Sequence, residues 1–433
     1  MKADLTRDSF RPEQHFARVV FPQGHALTEA ELNEQAQIQV HRDQVTALDV
    51  IGKTGTPNGD GFEPVVSPDG KDLLIRPGRY YVDGRLVEGD SHVVAVSFPA
   101  GNVIALPALT LGGRPLIAGE WLEVAAPGAA THRFQITAID VANRRVTVGA
   151  NDVGPAPDTT PLGIAGATAR RISSYVIQPH WPRPADTTWP ASPALPALTT
   201  APGLYGVYLE VFAHHVSGIS DPLQREVALG GLDGASRERT AWQVRLRSIG
   251  ASGTAGTCDQ VLPGPVAGGT VRARARRPAT GTNPCIIEPS AQYRRLENQL
   301  YRVEIHHGGT FGVDAGITFK WSRENASVVM PWLASTATEL TLATAGRDTK
   351  LGLASGDWLE LTDDQRDLSR TPGTMVQIDT VEGTGESPKI EQTVVVRYTG
   401  KLASDGYFDY TMINLKTGRA EIIPEWIVAK YSI

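Results

Sequence analysis

A six-residue phrase that occurs twice does more than any other feature to limit what this chain can fold into. Gly119-Glu120-Trp121-Leu122-Glu123-Val124 returns as Gly356-Asp357-Trp358-Leu359-Glu360-Leu361. The likeness continues downstream. Gln135-Ile136-Thr137-Ala138-Ile139 matches Gln377-Ile378-Asp379-Thr380-Val381, and Arg145–Val148 matches Thr393–Val396. The later copy carries loop-sized insertions, the acidic stretch Thr362–Asp367 and the longer turn Thr380–Gln392. Similarity of this kind at so long a separation marks a duplicated structural unit. We read two small β-barrels of the SH3-like or a related kind, each opening on a Gly-acid-Trp strand. Alternation along a strand predicts that Trp121 and Trp358 belong to the core and that the flanking acids face solvent.

The rest of the chain is consistent with a mainly β protein. It contains 44 Gly and 30 Pro but few stretches of 3.6-residue period, which implies many turns between short strands. With 433 residues and 41% hydrophobic content it is too long for one core and apolar enough for two to four ordinary ones. A net charge of −6 gives no reason to expect nucleic acid as a partner. The polar start MKADLTRDSFRPEQ reads as neither signal peptide nor membrane span, so we expect a chain made in the cytoplasm without membrane insertion. Cys258 and Cys285 lack metal spacing; they are either two small buried hydrophobes or one disulfide.

Taken in order, residues 1–52 form an arm and a helix. Phe10, Phe16 and Phe21 give the arm apolar side chains to lay on a surface. Thr28-Glu29-Ala30-Glu31 is a capping box, predicting a helix to about Val50 with Gly52 as its C-cap. Its apolar residues fall on two lines, one through Leu32 and one through Ile38, so one face can dock a partner. Phe10, Phe16, Phe21, Leu32 and Ile38 are therefore the candidate partner-binding residues. Residues 53–102 form a hairpin module in which Asp83-Gly84 supplies the turn of LLIRPGRYYVDGRLVEG. The first barrel covers 103–175, a Pro-rich connector 176–202, a central β-sandwich or meander 203–335, and the second barrel with C-terminal strands 336–433. In the meander Tyr301, Phe319 and Trp321 are expected on the buried face. A strand is expected over Arg225–Gly230.

No catalytic constellation is legible. His214-His215 and His306-His307 are adjacent pairs that a strand sends to opposite faces, and no ligand set of recognisable spacing surrounds them. We expect no metal and no cofactor. Asp363, Asp364 and Asp367 read as a solvated acidic loop. Trp181, Trp189 and Trp332 are candidates for stacking a sugar, which would make the chain a carbohydrate- or surface-binding module. A hydrolase centred on His214, His215 and Asp221 is the remaining alternative.

Four segments resemble a known family: KADLTRDSFRPEQHFARVVFPQG with LNEQ, LYGVYLEVFAHHVSGISDPLQREVALGGLDGASRERTAWQVRL, YRRLENQLYRVEIHHGG with FKWSRENASVV, and GRDTKLGLASGDWLELTDD with PGT. Together they are similar to a bacterial domain family of undetermined biochemical activity whose members are encoded with phage-tail-like contractile injection systems. Relatives carry a tryptophan beside the asparagine where this chain has Leu32 next to Asn33. The resemblance supplies no catalytic residues. It implies a structural, cargo or adaptor component of an injection particle, such as a baseplate or tail-fibre protein. Attachment would be through the N-terminal region to other subunits, with a possible cell-surface glycan, in a particle that can be released extracellularly.

Overall fold

The computed structural model describes residues 2–57, 61–152, 166–181, 204–231, 234–250, 261, 300–309, 313, 317–322, 325–336, 338–343, 352–382, 394–398 and 430–432. The protein is mainly β, with several largely antiparallel sheets and two α-helices among those residues. It divides into two compact units. One comprises residues 41–213 and 240–266; the other comprises 1–40, 214–239 and 267–433.

The first of these units contains a nine-stranded sheet. Its centre is the strand Trp121–Ala125, hydrogen-bonded on one side to His132–Asp140 and on the other to Thr168–Ser174. Arg145–Asn151, Val103–Ala105 and Ser97–Ala100 continue the ladder outward. Leu122, Val124, Phe134, Ile136, Val146 and Ile104 close over one another as its core. A second cluster gathers Phe62, Ile75, Val87, Tyr175, Trp242 and Val244, with the Trp242 ring edge-on to Phe62 at 4.9 Å. The hairpin Arg79–Val82/Arg85–Glu88 turns at Asp83-Gly84 as the sequence indicates, with both turn residues at positive φ. Only glycine suits the second position: a Cβ on Gly84 would lie 2.3 Å from the carbonyl oxygen of Gln44.

The other unit contains a seven-stranded sheet that repeats the pairing of the Trp strand with its neighbour, but its third strand falls two positions later than the sequence match indicates: Ile136 pairs with Val148 and Ile378 with Tyr398, so Arg145–Val148 answers to Val395–Tyr398 rather than Thr393–Val396. Trp121 pairs with Gln135 and Leu122 with Phe134; Trp358 pairs with Gln377 and Leu359 with Val376. The Gly119 amide donates to the Ile136 carbonyl at 2.7 Å, and Gly356 donates to Ile378 at 2.8 Å. The Gln135 amide caps the Gly119 carbonyl at 3.4 Å, and Gln377 caps Gly356 at 3.1 Å. Even the turn ahead of each strand is shared. The Ile117 amide donates to the Glu120 carboxylate at 3.0 Å, and that of Ala354 to Asp357 at 2.9 Å. A register irregularity follows Ile136 in one copy and Ile378 in the other. The copies differ at one edge: Thr168–Ser174 runs antiparallel to its Trp strand, whereas Lys430–Ser432 runs parallel.

Both tryptophans are core, Trp121 at 0% and Trp358 at 6% exposure. The flanking acids are not solvent-facing as alternation predicts, because both faces of these central strands are covered. Glu123 is buried between Arg133 and Arg170 (3.2 and 2.8 Å), and Glu120 lies 3.5 Å from buried Arg171. Glu360 is buried against the Lys320 ammonium and accepts from the Gly373 amide at 2.7 Å.

Further departures follow from tertiary packing. The ribbon Arg302–His307/Thr318–Ser322 turns its polar side inward: Lys320 and Ser322 are buried. Tyr301, Val303, Ile305 and Phe319 are exposed, and Tyr301 stacks on Trp321 at 5.9 Å. Residues 225–230 are not a strand but lie around the 3-10 turns Pro222–Gln224 and Val227–Leu229, each begun by a carboxylate cap from Asp221 or Glu226. The expected acidic loop is a second helix, α2 (Asp364–Ser369), capped by Asp363, whose side chain accepts from the Arg366 amide at 2.7 Å. In place of one central sandwich, the described part of 203–335 holds the paired strands Leu204–Val216 and Arg237–Gly250, the 302–322 ribbon, and Val329–Met330 and Trp332–Ser335, which join the seven-stranded sheet. Cys258, Cys285 and residues 182–202 of the connector 176–202 lie outside the described residues.

Candidate attachment surface

The helix α1 spans Glu29–Ile51, and the Gly52 amide closes it on the Leu48 carbonyl at 2.9 Å. Ala30 and Ile38 are buried at 2% exposure each. The arm before it has little regular structure, yet polar bonds tie it at Lys2, Ala3, Thr6, Arg7, Ser9 and Val19. Lys2 reaches Asp367 on α2 at 2.9 Å, and Asn325 donates to the Ala3 carbonyl at 2.9 Å. Thr6 bonds Glu29, Arg7 bonds Glu31, Ser9 donates to Glu34 at 2.5 Å, and the Val19 amide donates to Gln35 at 2.8 Å.

Held this way, the arm turns apolar side chains outward. Phe16 is 56% exposed, Phe21 40%, and Val20 and Leu27 are exposed beside them. Leu32 is exposed on the first turn of α1, while Phe10 is half-buried. Of the five residues that sequence nominates for partner binding, Phe16, Phe21 and Leu32 thus face solvent, and Ile38 belongs to the core. A large apolar side chain costs free energy in water, of order 1.5–3 kcal/mol when fully exposed. Phe16, Val20, Phe21 and Leu27 therefore form the candidate attachment surface on the arm.

The remaining nominated residues lie elsewhere. Trp181 is buried, and the Arg245 guanidinium occupies one ring face at 4.1 Å from its centroid. Trp332 is half-buried against the core of the seven-stranded sheet. Trp189 lies outside the described residues. Of the residues named for a hydrolase, Asp221 caps its own 3-10 turn, accepting from the Leu223 amide at 3.2 Å. His214 meets Asp367 instead, at 3.4 Å. Burial would raise the Asp367 carboxyl, but the His214 hydrogen bond and the Lys2 ammonium prevail and hold it well below the ordinary carboxylate range. Burial pushes His215 down to about 4 and also lowers His306, whose Nε2 meets the Gly373 carbonyl at 3.1 Å. Among the described residues no group of three or more His, Cys, Asp or Glu side chains could hold a metal ion. An open cavity of about 410 Å³ is lined by Thr56, Gly61, Gly78, Arg79, Glu88 and Gly89, with Arg79 and Glu88 the charged residues among them. No described helix is long and apolar enough to cross a membrane.

Sequence reasoning missed Lys2, Asn325 and Asp367 as the anchors of the arm. Contacts this distant in sequence leave no local trace. The nearest signal is Asp363 followed by Asp364, a helix N-cap candidate with an acid in the first turn. No curated protein and no solved structure matches the chain. A family model described as a family of unknown function, DUF6519, matches residues 1–101 and 260–383. That match takes in the arm, α1, the hairpin and the second Trp strand, and on it the chain belongs to the DUF6519 family.

Proposed function

We propose that this protein is a non-enzymatic structural or adaptor component of a phage-tail-like contractile injection particle, held to neighbouring subunits through its N-terminal region. The observation that carries the attachment reading is the arm itself. Its backbone is pinned by hydrogen bonds and ion pairs, while Phe16, Val20, Phe21 and Leu27 point away from the chain that pins it. An ordered apolar strip has already met much of the conformational cost of binding, which favours docking over free flexibility. The duplicated units supply a rigid support; we propose each to be a small SH3-like barrel. Identification of the particle rests on the family resemblance of the sequence.

The experiment is co-purification of the full chain with particles expressed from its own gene neighbourhood. Truncating residues 1–51 is a poor probe, since it removes Ala30 and Ile38 from the core. Phe16→Asp combined with Phe21→Asp touches no buried position. We expect this variant to fold and to be lost from the particle. Retention at the wild-type level would overturn the attachment reading.

A further inference from the structure

We infer that the second copy of the repeat carries a strand-acceptor slot, the gap between Trp358–Leu361 and Val329–Met330, which takes an extended basic segment of a partner chain in place of Lys430–Ser432. The inference goes beyond the arm and can be read out in the isolated chain. It starts from the order of pairing. In the first copy Val93–Ala95 pairs with Thr168–Ser174, which pairs with Trp121–Ala125. The ladder then runs through His132–Asp140, Arg145–Asn151 and Val103–Ala105 to Ser97–Ala100. Only Val96 parts Val93–Ala95 from Ser97–Ala100, so the pairings return to where they began. The second copy repeats this course strand for strand. Only Pro331 parts Val329–Met330 from Trp332–Ser335. The ladder between them passes through Lys430–Ser432, Trp358–Leu361, Thr374–Glu382, Val394–Tyr398 and Glu339–Leu342.

Lys430–Ser432 therefore holds the place that Thr168–Ser174 holds in the first copy, but on different terms. Thr168–Ser174 has seven residues and runs antiparallel to both neighbours. Lys430–Ser432 has three and runs parallel to both. Parallel pairing is slightly weaker per residue, and three residues make few bonds. The routes differ too. Residues 152–167 lead from Arg145–Asn151 into the first of these strands, and residues 399–429 lead from Val394–Tyr398 into the second. A short, reversed strand brought from far along the chain is one that a longer antiparallel strand can displace.

Charge describes the replacement. In the first copy the entering strand sets Ile172 opposite Trp121 and Arg170 opposite Glu123, whose carboxylate its guanidinium meets at 2.8 Å. Arg171 of the same strand lies 3.5 Å from Glu120. The second copy keeps both acids, as Asp357 and Glu360. The residues opposite Glu360 on its two adjoining strands are Met375 and Tyr431, neither of them charged. Lys320 reaches Glu360 from a separate ribbon. The slot thus fits a segment running antiparallel to Trp358–Leu361, with a basic residue opposite Glu360 and an apolar one opposite Trp358. Main-chain bonds to the sheet supply affinity, and those two positions supply specificity.

The test uses the full chain and a peptide of residues 166–176, GATARRISSYV, which carries that pattern. Fluorescence anisotropy should show saturable binding. Hydrogen exchange should show the amides of 430–432 losing protection with peptide while those of 359–361 keep theirs. Tyr431→Pro removes a main-chain donor from the resident strand and should tighten binding about tenfold or more, because the slot is then open in a larger fraction of molecules. If this variant loosens the Trp358 strand, saturating peptide should restore its protection. A peptide with Arg170→Glu and Arg171→Glu should bind about tenfold more weakly or worse. No binding to either chain, equal binding of the charge-reversed peptide, or a loosened strand that peptide leaves loose would overturn the slot. So would binding of a peptide of residues 426–433 where 166–176 fails, which would assign the gap to strand exchange between copies of this chain. Phe16→Asp/Phe21→Asp should bind the peptide as the wild type does, so this reading and the attachment reading fail separately.

Discussion

Lys320→Met isolates the physical consequence of burying an acid in the repeated strand. In the wild type, Lys320 bonds Glu360, lies 3.2 Å from Glu304, and is itself 7% exposed; Glu360 is 1% exposed. Methionine conserves much of the packed stem but removes the charge, leaving Glu360 with the Gly373 amide as its other described hydrogen-bond donor. Breaking a buried pair from one side costs about 3–5 kcal/mol, because the surviving charge keeps its desolvation penalty. At about 2–4 °C per kcal/mol for a unit of this size, the transition should drop by roughly 6–20 °C. The assay is thermal and urea unfolding of the full chain, with hydrogen exchange at the Trp358 strand identifying which transition moves. Lys320→Met with Glu360→Gln should recover most of the loss, because the pair removed together leaves no orphaned charge. A single-variant cost below about 1 kcal/mol, or a double variant no better than the single, would refute the reasoning.

Other outcomes follow from the same geometry. Trp121→Ala and Trp358→Ala should each cost about 3–5 kcal/mol, and each should loosen hydrogen exchange in its own unit first. Gly373→Ala should destabilise the Trp358 strand, since the new methyl would lie 2.5 Å from the Leu361 carbonyl oxygen; Gly308→Ala, with nothing within 4 Å and no left-handed backbone, is the control. Arg170→Ala together with Arg133→Ala should destabilise more than either single change, because Glu123 would then lose both described cationic partners. Unfolding in urea orders these variants.

How much could be read from the chain beforehand depended on which interactions were local. The repeat, the hairpin turn at Asp83-Gly84 and the extent of α1 were all legible, because each is set by neighbours in sequence. Alternation told which residues of 302–322 share a face but not which face lies inside. Glu360, some forty positions away from Lys320, made the polar face the inner one. The same limit misplaced the acids of both Trp strands, where arginines and a lysine from other strands closed the second face. Phe16, Phe21 and Leu32, nominated from sequence as apolar contact residues, are exposed. Ile38 was indistinguishable from them until the packing of α1 was known.

The most direct test is a density map of the chain on its assembled particle, scored by what surrounds the arm between Phe16 and Leu27. The account predicts that Phe16 and Phe21 lie under a neighbouring subunit. Both rings open to solvent in the assembled state, with the chain held elsewhere, would contradict it.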